Sequence, residues 1–152
     1  MRHQNALKTI RFTIVILLLS VFNRTNAQQV QTMHPNTPMG TYVGGFFESL
    51  PVGYSTSSQT YPLLIFIHGM GEIGVGDATS LPPILLHGPP MLIDRGLFPQ
   101  TFNVDGQTFS FIVLSPQFSH WPTPNDVNDV INYAKAHYRV DPTRIYLTGK
   151  RE

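Results

Sequence analysis

The stretch Tyr61–Glu72 reads YPLLIFIHGMGE and falls into two halves of opposite character. Leu63–Ile67 is an unbroken apolar run of strand length, of the kind buried on both faces in a parallel sheet. It stops at His68-Gly69-Met70-Gly71-Glu72, where two glycines permit backbone shapes that other residues resist. A buried strand feeding a glycine-containing loop is where open α/β sheets place ligands, beyond the carboxyl ends of their strands. Acyl-transfer sites use such a loop to aim a backbone N–H at a developing oxyanion. Two readings stand at this point. One is half of an oxyanion hole; the other is a strand and tight turn with no chemistry, since an HGxG tetrad is short enough to recur by chance.

The N-terminus sets the expected compartment. Met1–Arg11 carries Arg2, Lys8 and Arg11 and no acidic residue, and Phe12–Phe22 is apolar except for Thr13 and Ser20. A polar stretch then ends in Thr25-Asn26-Ala27, a small-x-small pattern. This order describes a secretory signal peptide over residues 1–27, cut after Ala27, and a secreted or periplasmic product. The apolar core is far short of the roughly 20 residues that span a bilayer, so no membrane association is expected after cleavage. Cysteine is absent, which excludes disulfides and a lipid-modified cysteine. An exported chain of this kind relies on its core or on a metal.

Composition narrows the function classes. Of the 152 residues, 41% are hydrophobic and only 12% charged, with a formal net charge of +1. No basic patch is available to neutralise phosphates, so a nucleic-acid partner is not expected. The 12 glycines and 13 prolines point to a loop-rich globular domain, and the chain beyond Ala27 is long enough for one modest domain. His34, His68, His87, His120 and His137 are scattered and show no metal-ligand spacing on one helix face, so no metal is expected.

Along the chain, residues 28–40 are polar and Pro-containing and read as a flexible leader. Thr41–Leu50 is a plausible first strand, and Pro51–Thr60 a turn leading to Tyr61. Ile73–Pro90 holds Gly74, Gly76, Gly88 and prolines at 82, 83, 89 and 90, a punctuation that no long helix survives. Met91–Leu97 suits a short helix stopped by Gly96. Thr108–Ser115 is a second buried-type strand. Thr123-Pro124-Asn125-Asp126 then reads as a helix start, with Thr123 as cap and Asp126 its acidic partner. Val127, Val130, Ile131, Ala134 and Tyr138 come next at helical spacing, and Arg144–Thr148 is a third strand before Gly149. This order predicts a parallel sheet built by right-handed crossovers.

Three pieces in sequence carry a family resemblance: HGMGE at His68–Glu72 with Gly74, FIVLSPQ at Phe111–Gln117 before Trp121, and YRVDPTRIYLTG at Tyr138–Gly149. Together they resemble the secreted peptidase and esterase branch of the α/β-hydrolase superfamily, related to prolyl oligopeptidase, polyhydroxybutyrate depolymerase and feruloyl esterase. The resemblance covers over half of the expected mature chain. It implies an α/β class, with a partial α/β-hydrolase fold and a mostly parallel sheet over residues 41–149. It also implies a serine hydrolase of carboxylic ester or peptide bonds, with a small-molecule or polymer substrate and no cofactor. On that basis the Met70 N–H is an oxyanion donor and His68, Gly69, Gly71 and Glu72 shape its loop. Gln117 and Trp121 stand at the cleft rim, and Gly149 is the first residue of a G-x-S-x-G nucleophile elbow.

The sequence departs from that pattern after Gly149, where Lys150-Arg151-Glu152 replaces the elbow and reads as a non-family tail. Nucleophilic catalysis needs a nucleophile, a base in reach and a group that orients the base. No such triad is recognised; Ser115, Ser119, His120 and Asp126 supply only the residue types. The expectation is the N-terminal half of an exported serine hydrolase, ending after the strand that leads to the elbow and inactive as it stands. The alternatives are a non-catalytic secreted binding module and a disrupted gene product with no function. In each case Arg144–Thr148 is expected to lie at an uncovered apolar edge, an aggregation liability.

Overall fold

The computed structural model describes residues 28–150. The signal peptide expected over residues 1–27 and the last two residues of the expected tail lie outside the described residues.

Seven strands and two helices succeed one another along this span. They are β1 (Gln31–His34), β2 (Val43–Ser49), β3 (Tyr61–Ile67), α1 (Gly88–Asp94), β4 (Phe102–Val104), β5 (Gln107–Phe109), β6 (Ile112–Phe118), α2 (Pro124–His137) and β7 (Val140–Gly149). Short 3₁₀ turns occupy Tyr54–Thr56, Met70–Glu72 and Pro82–Leu86. Five strands form one sheet in the order β1-β2-β6-β3-β7, and β4 and β5 form a separate hairpin.

The sheet is mixed, which overturns the expectation of a mostly parallel α/β-hydrolase sheet. β1 pairs with β2 and β2 with β6 in antiparallel fashion, whereas β3 is parallel to both β6 and β7. The physical reason lies in two segments on either side of β3. Residues 28–40 were expected to be a leader, yet they contain β1, fixed against β2 from Gln31↔Ser49 to His34↔Phe46. Gln29 is buried beside it and donates through Nε2 to the carbonyls of Ser49 and Phe111. The glycines and prolines after β3 leave room for only the seven-residue α1 as helical cover.

β3 is packed on both sides, as its apolar run requires. Leu63 and Ile65 join Ile112 and Leu114 of β6 and Val130 and Ala134 of α2 in the main core. On the opposite face, Phe66 packs with Phe47, Leu81 and Ile84, while Leu64 meets Val113, Ile93 and Phe98. The helix α2 starts where its sequence directs. Thr123 accepts a hydrogen bond from the Asp126 N–H, and the Asp126 carboxylate accepts one back from the Thr123 N–H at 2.7 Å. Those bonds to Thr123 hold the Asp126 carboxyl below the usual carboxylate range.

Behind the β3 turn, the segment after Glu72 lies directly on β2. Gly76 has φ +78°, and a Cβ there would fall 2.1 Å from the Gly45 nitrogen. Its carbonyl accepts from the Asn36 N–H at 2.8 Å. Only glycine combines that left-handed backbone with so close an approach. The strand pairing of β2 shifts register between Val43 and Gly45, where the loop crosses it.

Candidate functional site

The carboxyl end of β3 runs into His68, whose ring is 1% exposed and holds two backbones together. Its Nδ1 lies 2.7 Å from the Gly69 carbonyl, and its Nε2 accepts from the Phe118 N–H at 2.9 Å. A carbonyl only accepts and an N–H only donates, so the ring is the neutral tautomer protonated at Nδ1. Burial pushes its pKa below the ordinary imidazole value, against the opposing pull of the Gly69 bond and the Glu72 charge. With both nitrogens committed, His68 is a strut between β3 and β6 and has no lone pair to offer a nucleophile.

Gln117 does the corresponding work for the loop behind the turn. It is 1% exposed, inside the molecule rather than on a cleft rim. Its Nε2 donates to the carbonyls of Glu72 and Ser80 at 2.9 and 2.6 Å. Its Oε1 accepts from the Gly76 N–H at 2.9 Å and from the Ser80 hydroxyl at 2.8 Å. All four bonding positions of one amide are filled, which ties residues 72–80 to β6. Nothing local to Ser80 or Gly76 in the sequence signals this partnership.

Between these two anchors sits the 3₁₀ turn Met70–Glu72. Within it the Glu72 N–H bonds to the Gly69 carbonyl and the Ile73 N–H to the Met70 carbonyl. The N–H groups of Met70 and Gly71 are left without an acceptor in the turn, as the leading donors of any helical turn are. Met70 is 58% exposed, and a Cβ on Gly71 would meet nothing within 4 Å, so the turn borders open space.

Beneath the turn the Glu72 carboxylate is buried, and one of its oxygens is shared. Oε1 lies 3.3 Å from His87 Nε2 and 3.4 Å from Lys150 Nζ, and those two nitrogens are 3.1 Å apart. Oε2 is buried and has no hydrogen-bond partner among the described residues. His87 comes from the loop before α1, and Lys150 directly follows β7, whose last residue, Gly149, lies opposite Ile67. Sequence reasoning finds neither residue. His87 stands amid glycines and prolines, and Lys150 reads as the start of a tail.

An apolar groove of about 530 Å³ opens beside α2, lined by Ile67 of β3, Leu147 of β7, Trp121, and Val127 and Ile131 of α2. Trp121 is half exposed there. Behind it His120 Nε2 lies 3.3 Å from Asp126 Oδ2, and the ring packs edge-on against Tyr42. Ser115 is fully buried with its hydroxyl unpartnered. Among the described residues no serine hydroxyl is hydrogen-bonded to a histidine ring. No group of three or more His, Asp or Glu side chains suited to a metal ion occurs among them either.

No family model matches the chain. A search of curated proteins gives no significant match.

Proposed function

We propose that residues 28–150 form the oxyanion-binding side of an exported serine hydrolase of carboxylic ester or peptide bonds, without turnover of their own. The observation that carries this reading is the Met70 turn. Two N–H groups without an acceptor in their own turn stand at the end of a doubly buried strand, in an exposed turn pinned on either side by His68 and Gln117. Fixed backbone donors of this kind stabilise the charge that develops on a carbonyl oxygen as it is attacked. The apolar groove beside Ile67 is suited to an acyl chain or an apolar side chain of the substrate. Nucleophile, acid and base are not found among these residues. His68 is fully engaged, Ser115 is sealed in the sheet, and the only hydroxyl on the His120–Asp126 pair among the described residues is that of Thr123, which is spent capping α2.

One observation favours a second reading, a secreted binding module on the same scaffold. β7 lies at the end of the sheet, and its Tyr146 and Leu147 are about half exposed, which suits the addition of a partner strand.

The test uses the full chain. Butyrate, a carboxylate with a short acyl chain, is titrated against ¹⁵N-labelled protein, and p-nitrophenyl butyrate is offered as substrate. The expected result is a saturable shift of the Met70 and Gly71 amide signals with no release of nitrophenol above buffer. Amides that stay still would remove the oxyanion reading. Turnover abolished by a serine-directed phosphonate would overturn the claim that these residues lack a nucleophile.

A further inference from the structure

The cluster of Glu72, His87 and Lys150 contains a conflict of hydrogen-bonding roles. Lys150 Nζ only donates, so its 3.1 Å contact requires a lone pair on His87 Nε2. The same Nε2 lies 3.3 Å from Glu72 Oε1, a pure acceptor, and that contact is favourable only if Nε2 carries a proton. One nitrogen cannot satisfy both neighbours in a single protonation state. Meanwhile Glu72 Oε2 is buried and unused. It lies next to the Lys150 stem, since a Cβ on Gly69 would fall 2.9 Å from Oε2 and 3.0 Å from Lys150 Cδ.

From this geometry we infer that Glu72, His87 and Lys150 form a proton-operated latch on the Met70 turn, with two positions for the Lys150 ammonium. With His87 neutral, the ammonium donates to His87 Nε2 and Glu72 Oε1, as seen here. A proton taken from solvent onto Nε2 turns that nitrogen into a donor to Oε1 and places a second positive charge beside Nζ. The ammonium then moves to Oε2, the one acceptor of the carboxylate still free. Its stem sweeps across Gly69, the residue that opens the turn, so His87 acts on Met70 as a positioning residue through Glu72 and Lys150. Among the described residues, the charged groups that meet the His87 ring are Glu72 from the turn and Lys150 from the end of β7. The first turn of α1, which His87 precedes, carries no acidic residue. The inference does not depend on catalysis by this chain.

The experiment is a pH titration of the full chain from 8 to 5 by NMR, following the His87 Cε1–H and the amides of Gly69 and Met70. The expected result is that both amides shift with the midpoint of His87. In His87→Gln, which keeps a polar side chain but takes up no proton, and in Lys150→Met, which keeps the stem without its charge, that shift is lost. His68 touches the same turn and is intact in both variants. If the two amides stay still across this range, or if their titration persists in His87→Gln, the latch is wrong. The wild-type comparison decides even where a variant fails to fold.

Discussion

The two ends of β3's neighbourhood are built on opposite principles. At the Met70 turn, one amide and one imidazole use every polar position they own, and a glycine-containing loop is tied to β6 by side-chain hydrogen bonds. At β7, only one side of the strand is paired among the described residues, and Tyr146 and Leu147 stand half exposed. The first region is organised by polar satisfaction, because buried donors and acceptors left unmade are expensive. The second is anchored by apolar burial at Val140 and Ile145, while the stretch around Tyr146 and Leu147 carries no charged side chain. A region of the first kind fails when a single donor changes, whereas a region of the second kind tolerates substitution and governs association instead.

The sharpest way to break the contrast is Gln117→Glu. The change is nearly isosteric, but it replaces the group donating to the Glu72 and Ser80 carbonyls with an acceptor facing both of them. Two bonds are lost, and while one oxygen of the buried carboxylate keeps the Gly76 and Ser80 donors, the other faces two carbonyls. The expected loss is about 4 kcal/mol of folding stability, at the top of what single substitutions do. Urea unfolding of the variant beside wild type measures it. A loss under about 1 kcal/mol would mean that the loop is held by something other than this amide.

The second effect is smaller and depends on pH. His68 is buried in its neutral form, with its folded pKa below the ordinary value of 6.5. The unfolded chain therefore binds its proton first as pH falls. Stability contributed by His68 is complete above the ordinary value and is lost as pH drops through it toward the lowered folded value. Folding stability should decline between pH 7.5 and 5. In His68→Gln that slope should flatten, with about 2 kcal/mol lost at pH 7.5 because one of the two bonds is left unmade. An unchanged slope would separate the imidazole from the pH response.

These same residues show how far the sequence could be read. Leu63–Ile67, the Thr123–Asp126 helix start and the apolar positions of α2 are local patterns, and each corresponds to an element in place. The mixed direction of the sheet was not legible. β1 has no strong alternation, and its partner β2 is interrupted by Gly44-Gly45, so neither announces an antiparallel pair. The roles of Gln117 and of the His87–Lys150 pair rest on contacts 45 and 63 residues apart in the chain. Periodicity and spacing carry no trace of such distances. Gln117 in particular looks like a polar residue at a strand end, which suggests a rim; its burial comes from a loop that returns over it.

The smallest effect on stability bears on the other half of the comparison. Leu147 lines the groove, 55% exposed, on a strand paired with β3 alone among the described residues. Replacing it with lysine removes little buried area, so Leu147→Lys should leave the unfolding free energy within about 0.5 kcal/mol of wild type. What should change is self-association. An open strand edge flanked by apolar side chains invites edge-to-edge pairing, and a lysine there opposes it by charge and by the cost of stripping its water. Light scattering across a concentration series should therefore show less association in Leu147→Lys than in wild type at equal stability. A wild-type chain that stays monomeric at high concentration would show that this edge does not need protection. A variant that loses more than about 1 kcal/mol would show that Leu147 is held by packing, and that β7 belongs with the clamped turn rather than opposite to it.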